Sequence, residues 1–306
     1  MWAFTLRRIA VTIPTLLAVI SACYFLLHAT PGGPFDSEKQ VSAAVLANLQ
    51  AKYHLDLPLW QQYLLYLKSV VQGDLGASFR YADWSVNDLV GSALPVSVAI
   101  GGGAMLLSVF IGVGLGIWAA LRQNRMADHI VMVIGNIGSA FPSFVIGPVL
   151  ILIFAIGLQW LPAGGWNDFE LRFMVLPIAL LTLINVSTIG RVMRGSMIEV
   201  MRSNFIRTAR AKGLPERTVV LRHALKPALL PVVSTLGPLT IGSITSALVT
   251  ETIFSLPGLG RLIVNGAGNR DYTLVLGLVV LVTVIAVGLN LLVDLAYAFL
   301  DPKIRY

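Results

Sequence analysis

Long apolar runs separated by short polar stretches dominate this chain. Six stand out: Ile9–Ala29, Val96–Leu121, Ile130–Leu158, Phe173–Gly190, Ala228–Phe254 and Leu274–Leu300. At a rise of about 1.5 Å per residue, about 20 apolar residues carry a helix across a hydrocarbon core of about 30 Å. None of the runs alternates like a barrel strand, which leaves the helix as the spanning form. The pattern predicts an all-α polytopic membrane protein with six transmembrane helices. Kinks are expected at Pro142 and Pro148 in the third run and at Pro231 and Pro238 in the fifth. Gly112 and Gly116, with Gly114 between, predict close helix packing rather than a nucleotide-binding loop.

The segments between the runs divide the chain further. Residues 1–30 read as the first transmembrane helix. Arg7 and Arg8 before an apolar run, and Cys23 after "ISA", resemble a cleavable leader. The run continues past Cys23 through "YFLL", so the segment is expected to stay as a helix. Residues 31–95 are too polar to cross and form an external loop. Val41–Tyr53 reads as an amphipathic helix and Pro58–Gln72 as a second, with "GDLGASF" a turn-like break after it. Tyr53, Trp60, Tyr63, Tyr66, Phe79, Tyr81 and Trp84 fit either an interfacial aromatic belt or a docking surface for an external partner. Residues 96–300 hold the other five helices, with a polar loop at 191–226, and 301–306 form a tail.

Composition agrees with the membrane reading. Only 12% of residues are charged and 56% are hydrophobic. Soluble domains carry roughly 25% charged residues. The formal net charge is +7, which could suggest nucleic acid. Position argues against that. With the N-terminus inside, six crossings place Arg7, Arg8, Arg122, Arg125, Lys303 and Arg305 on the cytoplasmic side. The 191–226 loop adds Arg191, Arg194, Arg202, Arg207, Arg210, Lys212, Arg217, Arg222 and Lys226, which makes 15 of the 22 Lys and Arg residues. This is the positive-inside bias, so the basicity orients the chain with both termini cytoplasmic.

Enzyme chemistry is not legible. The sequence contains no P-loop, no HExxH, no GxSxG and no paired carboxylates on one helix face. His28, His54, His129 and His223 lack ligand spacing, and a single cysteine allows no intrachain disulfide. No catalytic residue, metal site or cofactor is expected. Asn185-Val-Ser187 matches a glycosylation sequon but lies inside the fourth run, where it is accidental. Glu251 and Asp294 are the acids nearest membrane depth, Asp294 with Asn290 one turn earlier. Interfacial anchoring or pairing with a neighbouring helix explains them; a proton relay would need a chain of such groups. A stand-alone secondary carrier or channel is the alternative, disfavoured by the missing buried charges and inverted repeats.

The 191–226 loop carries the sharpest pattern. "MIEVMRSNFIRTARAK", Met197–Lys212, lacks Gly and Pro and reads as one helix. Gly213 fits the left-handed cap position and Leu214 its accompanying hydrophobic contact. Pro215 and Glu216 suit the first turn of a following helix. Two short helices joined by a glycine turn are expected, with Ala209 and Ala211 small enough for something to approach closely. The cations alone would also suit a lipid-facing polybasic patch.

"ARAKG" followed by "HALKPALLP" resembles the cytoplasmic EAA loop of ABC importer permeases. "KYHLDLPLWQQYLLYLKSVVQGDLGASF", "ETIFSLPGLG", "NRDYTLV" and "LDPKIRY" resemble the dipeptide, oligopeptide and nickel branch of that family. Arg207 and Thr208 stand where many members have Glu and Ala, and Lys226 is an extra residue between Leu225 and Pro227. The resemblance runs end to end and is nearest to the first permease of oligopeptide importers. It implies a type I ABC importer permease fold in a bacterial inner membrane. It also implies that Arg207, Ala209, Ala211, Lys212, Gly213, Leu214 and Pro215 couple the chain to an ATPase. Expected partners are a second homologous permease, two ATPase subunits, an external peptide-binding protein and a peptide substrate. Substrate-binding residues are not legible.

Overall fold

A computed structural model of the protein describes residues 2–30, 55–81 and 83–300, where every regular element is helical. In chain order these are α1 (Trp2–Ala29), α2 (Leu59–Val71), α3 (Val86–Leu121) and α4 (Met126–Ala140). They are followed by α5 (Ser143–Gly157), α6 (Leu171–Met201), α7 (Asn204–Ala211) and α8 (Glu216–Ile253). Last come α9 (Leu259–Gly268) and α10 (Tyr272–Leu300). Among the described residues, α1, α3, α6, α8 and α10 contain windows long and apolar enough to cross a membrane. The expected helix at Val41–Tyr53 and the tail at 301–306 lie outside the described residues.

The third run departs from the single kinked helix expected over Ile130–Leu158. It is broken between α4 and α5 at Phe141–Pro142, and Pro142 takes extended backbone angles of φ −61° and ψ 149°. A proline disfavours helical geometry in the residue before it and cannot donate the next bond, so the chain restarts instead of bending. Pro148 stays inside α5, which becomes π-helical from Ile151 to Gly157.

Other helices outrun their apolar cores. α3 starts ten residues before Val96 and carries Pro95 internally. α8 has 38 residues, which at about 1.5 Å each span roughly 57 Å, well beyond the bilayer core. Its stretch Val219–Ala224 is π-helical. Pro227 cannot donate to the carbonyl four residues back, and a wider turn just before it accommodates the missing bond.

The chain forms two units. One comprises Val96–Gly260 with the C-terminal part from Ala286; the other comprises Ala3–Pro95 with Arg261–Ile285. In the first unit α6 is central, packing on both α4 and α8. A Cβ at Gly112 or Gly116 of α3 would press on Ile189 or Met193 of α6 at 2.8 and 2.6 Å, so the small pair does permit close approach. Two apolar clusters follow along α6. One joins Ile189, Met193 and Met197 to Ile206, Val219, Ala224 and Val232; the other joins Leu180 and Leu181 to Ile100, Phe254 and Leu256.

In the second unit the aromatic residues pack mainly on one another. Tyr24 of α1 lies 5.3 Å from Tyr63 and 5.9 Å from Tyr66 of α2, and His28 stacks on Tyr24 at 4.2 Å. Trp60 and Trp84 remain exposed. "GDLGASF" and "NRDYTLV" meet in this unit. The fully buried Asp271 accepts from the Ser78 hydroxyl, the Phe79 amide at 3.2 Å and the Leu274 amide at 3.1 Å. It thereby caps α10 and gathers the loop with one carboxylate.

Candidate functional site

The basic segment folds around a turn at Lys212–Pro215. Gly213 has φ +76°, the left-handed region that only glycine enters freely. The Gly213 amide donates to the Arg210 carbonyl at 2.9 Å and the Leu214 amide to the Ala209 carbonyl at 3.4 Å. These two bonds are the paired cap bonds of a Schellman motif, and Leu214 packs on the cluster containing Ile206 and Ala209. Pro215 opens α8, accepting from Thr218 at 2.8 Å and Val219 at 3.1 Å. Across the turn Arg210 and Glu216 form an exposed ion pair at 2.6 Å, a geometry that contributes at most about 1 kcal/mol.

The sequence-predicted residues divide by orientation. Arg207, Ala211, Lys212, Gly213 and Pro215 are exposed, and a Cβ built on Gly213 would meet no atom of the described residues within 4 Å beyond its chain neighbours. Leu214 is half buried. Ala209 faces inward at 6% exposure, so its small side chain serves the chain's own core and not an approaching surface. Phe205, 50% exposed on α7, is an outward apolar residue that the sequence reading passed over.

Three expectations need correction. Met197–Lys212 is not one helix: α6 ends at Met201, and α7 starts afresh after Ser203, whose hydroxyl donates back to the Val200 carbonyl at 2.6 Å. Serine competes for backbone bonds in this way and so breaks the ladder. Nor are there two short helices. The one after the turn is α8 itself, running without interruption to Ile253. Arg191 and Arg194, assigned to a loop, lie in α6.

Arg194 binds Asp128 of α4 through two bonds, Nε to Oδ1 at 2.5 Å and Nη2 to Oδ2 at 2.6 Å. Asp128 is 2% exposed, and its Oδ2 also accepts from the Asn124 amide at 2.9 Å. The hydrogen bonds from Arg194 hold its carboxyl below the ordinary carboxylate range, against the opposing effect of burial. The pair's contribution is therefore present at neutral pH and is lost as pH falls through that lowered value.

At the far end of α8, Glu251 is 1% exposed. Its carboxylate accepts from the Ser97 hydroxyl of α3 at 2.6 Å and the Gly260 amide at 2.7 Å, while Ser97 accepts from the Leu259 amide at 2.8 Å. A Cβ at Gly258 would collide with this carboxylate, and one at Gly260 would lie 2.5 Å from the Leu248 Cα. The glycines of "SLPGLG" are thus dictated by Glu251, and pairing is what explains this acid. Asn185 is buried and donates to Ser243 of α8 at 2.9 Å, which fits no glycan.

Comparison with known proteins places this geometry. Residues 112–306 match the family described as "Binding-protein-dependent transport system inner membrane component", and residues 1–99 match its N-terminal companion. The chain belongs to this inner-membrane permease family. It is 53% identical over 306 residues, all of both chains, to the oligopeptide transport system permease protein OppB of Salmonella typhimurium strain LT2. Identity to OppB of Haemophilus influenzae is 52% over the same span. Identity to the dipeptide transport system permease protein DppB of Bacillus subtilis is 39%, over 99% of this chain and 97% of that one. The fold resembles a chain of the inward-facing MetNI methionine ABC transporter, with TM-score 0.58 at 16% identity over 70% of this chain and 96% of that one.

Within a permease of this family, the exposed faces of α3 and α8 contrast. α3 presents Val98, Leu106, Leu107, Phe110, Ile111 and Trp118 outward. Over 231–252, α8 presents Pro231, Ser234, Pro238, Gly242 and Thr252, with Val249 the one large apolar residue among the described exposed positions. Large apolar side chains suit lipid, whereas small and polar ones suit another helix or a hydrated path. Which face of the helix was open was not legible in the sequence.

Proposed function

We propose that this chain is one of two translocation subunits of an ATP-binding-cassette importer for peptides. The observation that carries the reading is the 53% identity, without gaps in coverage, to permeases named for oligopeptide transport. The partners are a second homologous permease, two ATPase subunits and an external peptide-binding protein. The chain itself hydrolyses nothing and holds no cofactor.

In this reading the turn at Gly213 docks on an ATPase through Arg207, Ala211, Lys212, Gly213 and Pro215, with Leu214 and Ala209 bracing it from behind. Because α8 continues from the turn across the membrane, a displacement at the turn passes along one helix to the small-residue face, which borders the peptide path and the second permease. ATP drives the cycle only by favouring one permease conformation over the other. The external protein meets the 31–95 segment and largely sets peptide selectivity.

Topology tests the arrangement. In a Cys23→Ala background, Ser37→Cys should label from outside intact cells with an impermeant thiol reagent, and Ser203→Cys should not. The opposite pattern would place the coupling turn on the wrong side for an ATPase.

A further inference from the structure

A two-bonded ion pair of the first unit, Asp128 with Arg194, lies outside the candidate coupling segment. Asp128 lies in the first turn of α4, among the exposed residues Asn124, Arg125, Met126 and His129, yet is itself buried. Both its oxygens are held by the two-pronged Arg194 guanidinium, a planar match that fixes orientation as well as distance. The α3–α4 turn wraps the same carboxylate through the Asn124 amide, with Asn124 held at φ +60°. A second, exposed tie lies eight residues on, just past the end of α6, where Arg202 Nη2 donates to Gln123 Oε1 at 3.1 Å. Two ties separated by about 12 Å along the chain's helical rise bias the turn against pivoting about either one. Arg202 is also the last residue before Ser203, where α6 yields to α7.

We infer that Asp128 is a positioning residue for energy coupling: with Arg194, Gln123 and Arg202 it clasps the α3–α4 turn and α4 to the end of α6. A displacement of α7 and the Gly213 turn then carries α4, the first half of the broken third crossing, with it. This rests on the reading of that turn as the ATPase contact. The clasp explains why a carboxylate is buried in a turn whose neighbours are solvated.

The test uses the complete importer, with partner permease, ATPases and binding protein, in proteoliposomes. The readout is peptide transported per ATP hydrolysed. Asp128→Asn places an amide against the guanidinium and should lower that ratio roughly tenfold, within the range that single residues on coupling networks reach. ATPases should still co-purify in normal amount, and Asp128→Arg with Arg194→Asp should recover much of the ratio. A normal ratio in Asp128→Asn, or loss of the ATPases from it, overturns the inference. An independent arm introduces Gln123→Cys and Arg202→Cys in the Cys23→Ala background and joins them with a short bis-maleimide. If the elements move as one body, the linked importer keeps its uptake; if linking stops uptake, they move apart and the clasp is wrong. Failure of the underlying reading is distinguishable, because the unmodified importer would then neither co-purify with ATPases nor take up peptide.

Discussion

Gly213→Asp should leave the protein in the membrane at near-normal level and abolish most peptide uptake. Two effects separate here. The backbone penalty of a side chain at φ +76° is about 1 kcal/mol, and aspartate is among the residues that tolerate this conformation best. Among the described residues no atom beyond its chain neighbours opposes the new Cβ, so the fold absorbs that cost. Against a docked ATPase the same carboxylate becomes an unpaired charge in a packed contact, which costs on the order of 3–5 kcal/mol. Arg217→Ala, on the exposed first turn of α8, removes one solvated cation and should be mild. Immunoblotting of membranes, co-purified ATPase and uptake of labelled peptide measure the three quantities. Normal uptake in Gly213→Asp with loss in Arg217→Ala would make the segment an electrostatic patch on lipid headgroups.

Glu251→Ala should act on stability instead of coupling. It leaves the buried Gly260 amide and the part-buried Ser97 hydroxyl without this acceptor, at up to about 1–3 kcal/mol each, and opens a cavity beside Gly258 and Gly260. A loss of several kcal/mol is large for a single site. The detergent-extracted protein should unfold at clearly lower temperature, and protease should cut near Leu256–Gly260. Gly258→Ala should reproduce part of the effect, since its methyl group enters the space of the carboxylate. An unchanged melting temperature in Glu251→Ala would show that this carboxylate does not hold the loop.

What the sequence disclosed, and what it withheld, follows from range. Gly213 was legible because a glycine cap, a hydrophobic residue after it and a following proline form a local grammar with one physical solution. The apolar runs were legible because lipid imposes length and composition on every crossing. The break at Ser203 was harder: it depends on a hydroxyl choosing a backbone carbonyl over solvent, a contest of small energies. Nothing in the sequence could pair Asp128 with Arg194, or Glu251 with Ser97, since these contacts join residues 66 and 154 positions apart. Ala209 was misread for the related reason that composition does not say which way a helix faces. Its neighbour Ile206 carried the clue, because positions three apart on a helix share a face.

The central claim is that this chain moves peptide only as part of an ATP-driven assembly, and reconstitution tests it most directly. Proteoliposomes should be prepared with the chain, the second permease, both ATPases and the binding protein, with ATP on the ATPase side and a labelled oligopeptide on the other. The account predicts ATP-dependent peptide accumulation that disappears when this chain is omitted, and no ATP hydrolysis by the purified chain alone. Peptide accumulation by the chain in the absence of ATPases, or ATP turnover by a preparation shown free of them, would contradict it.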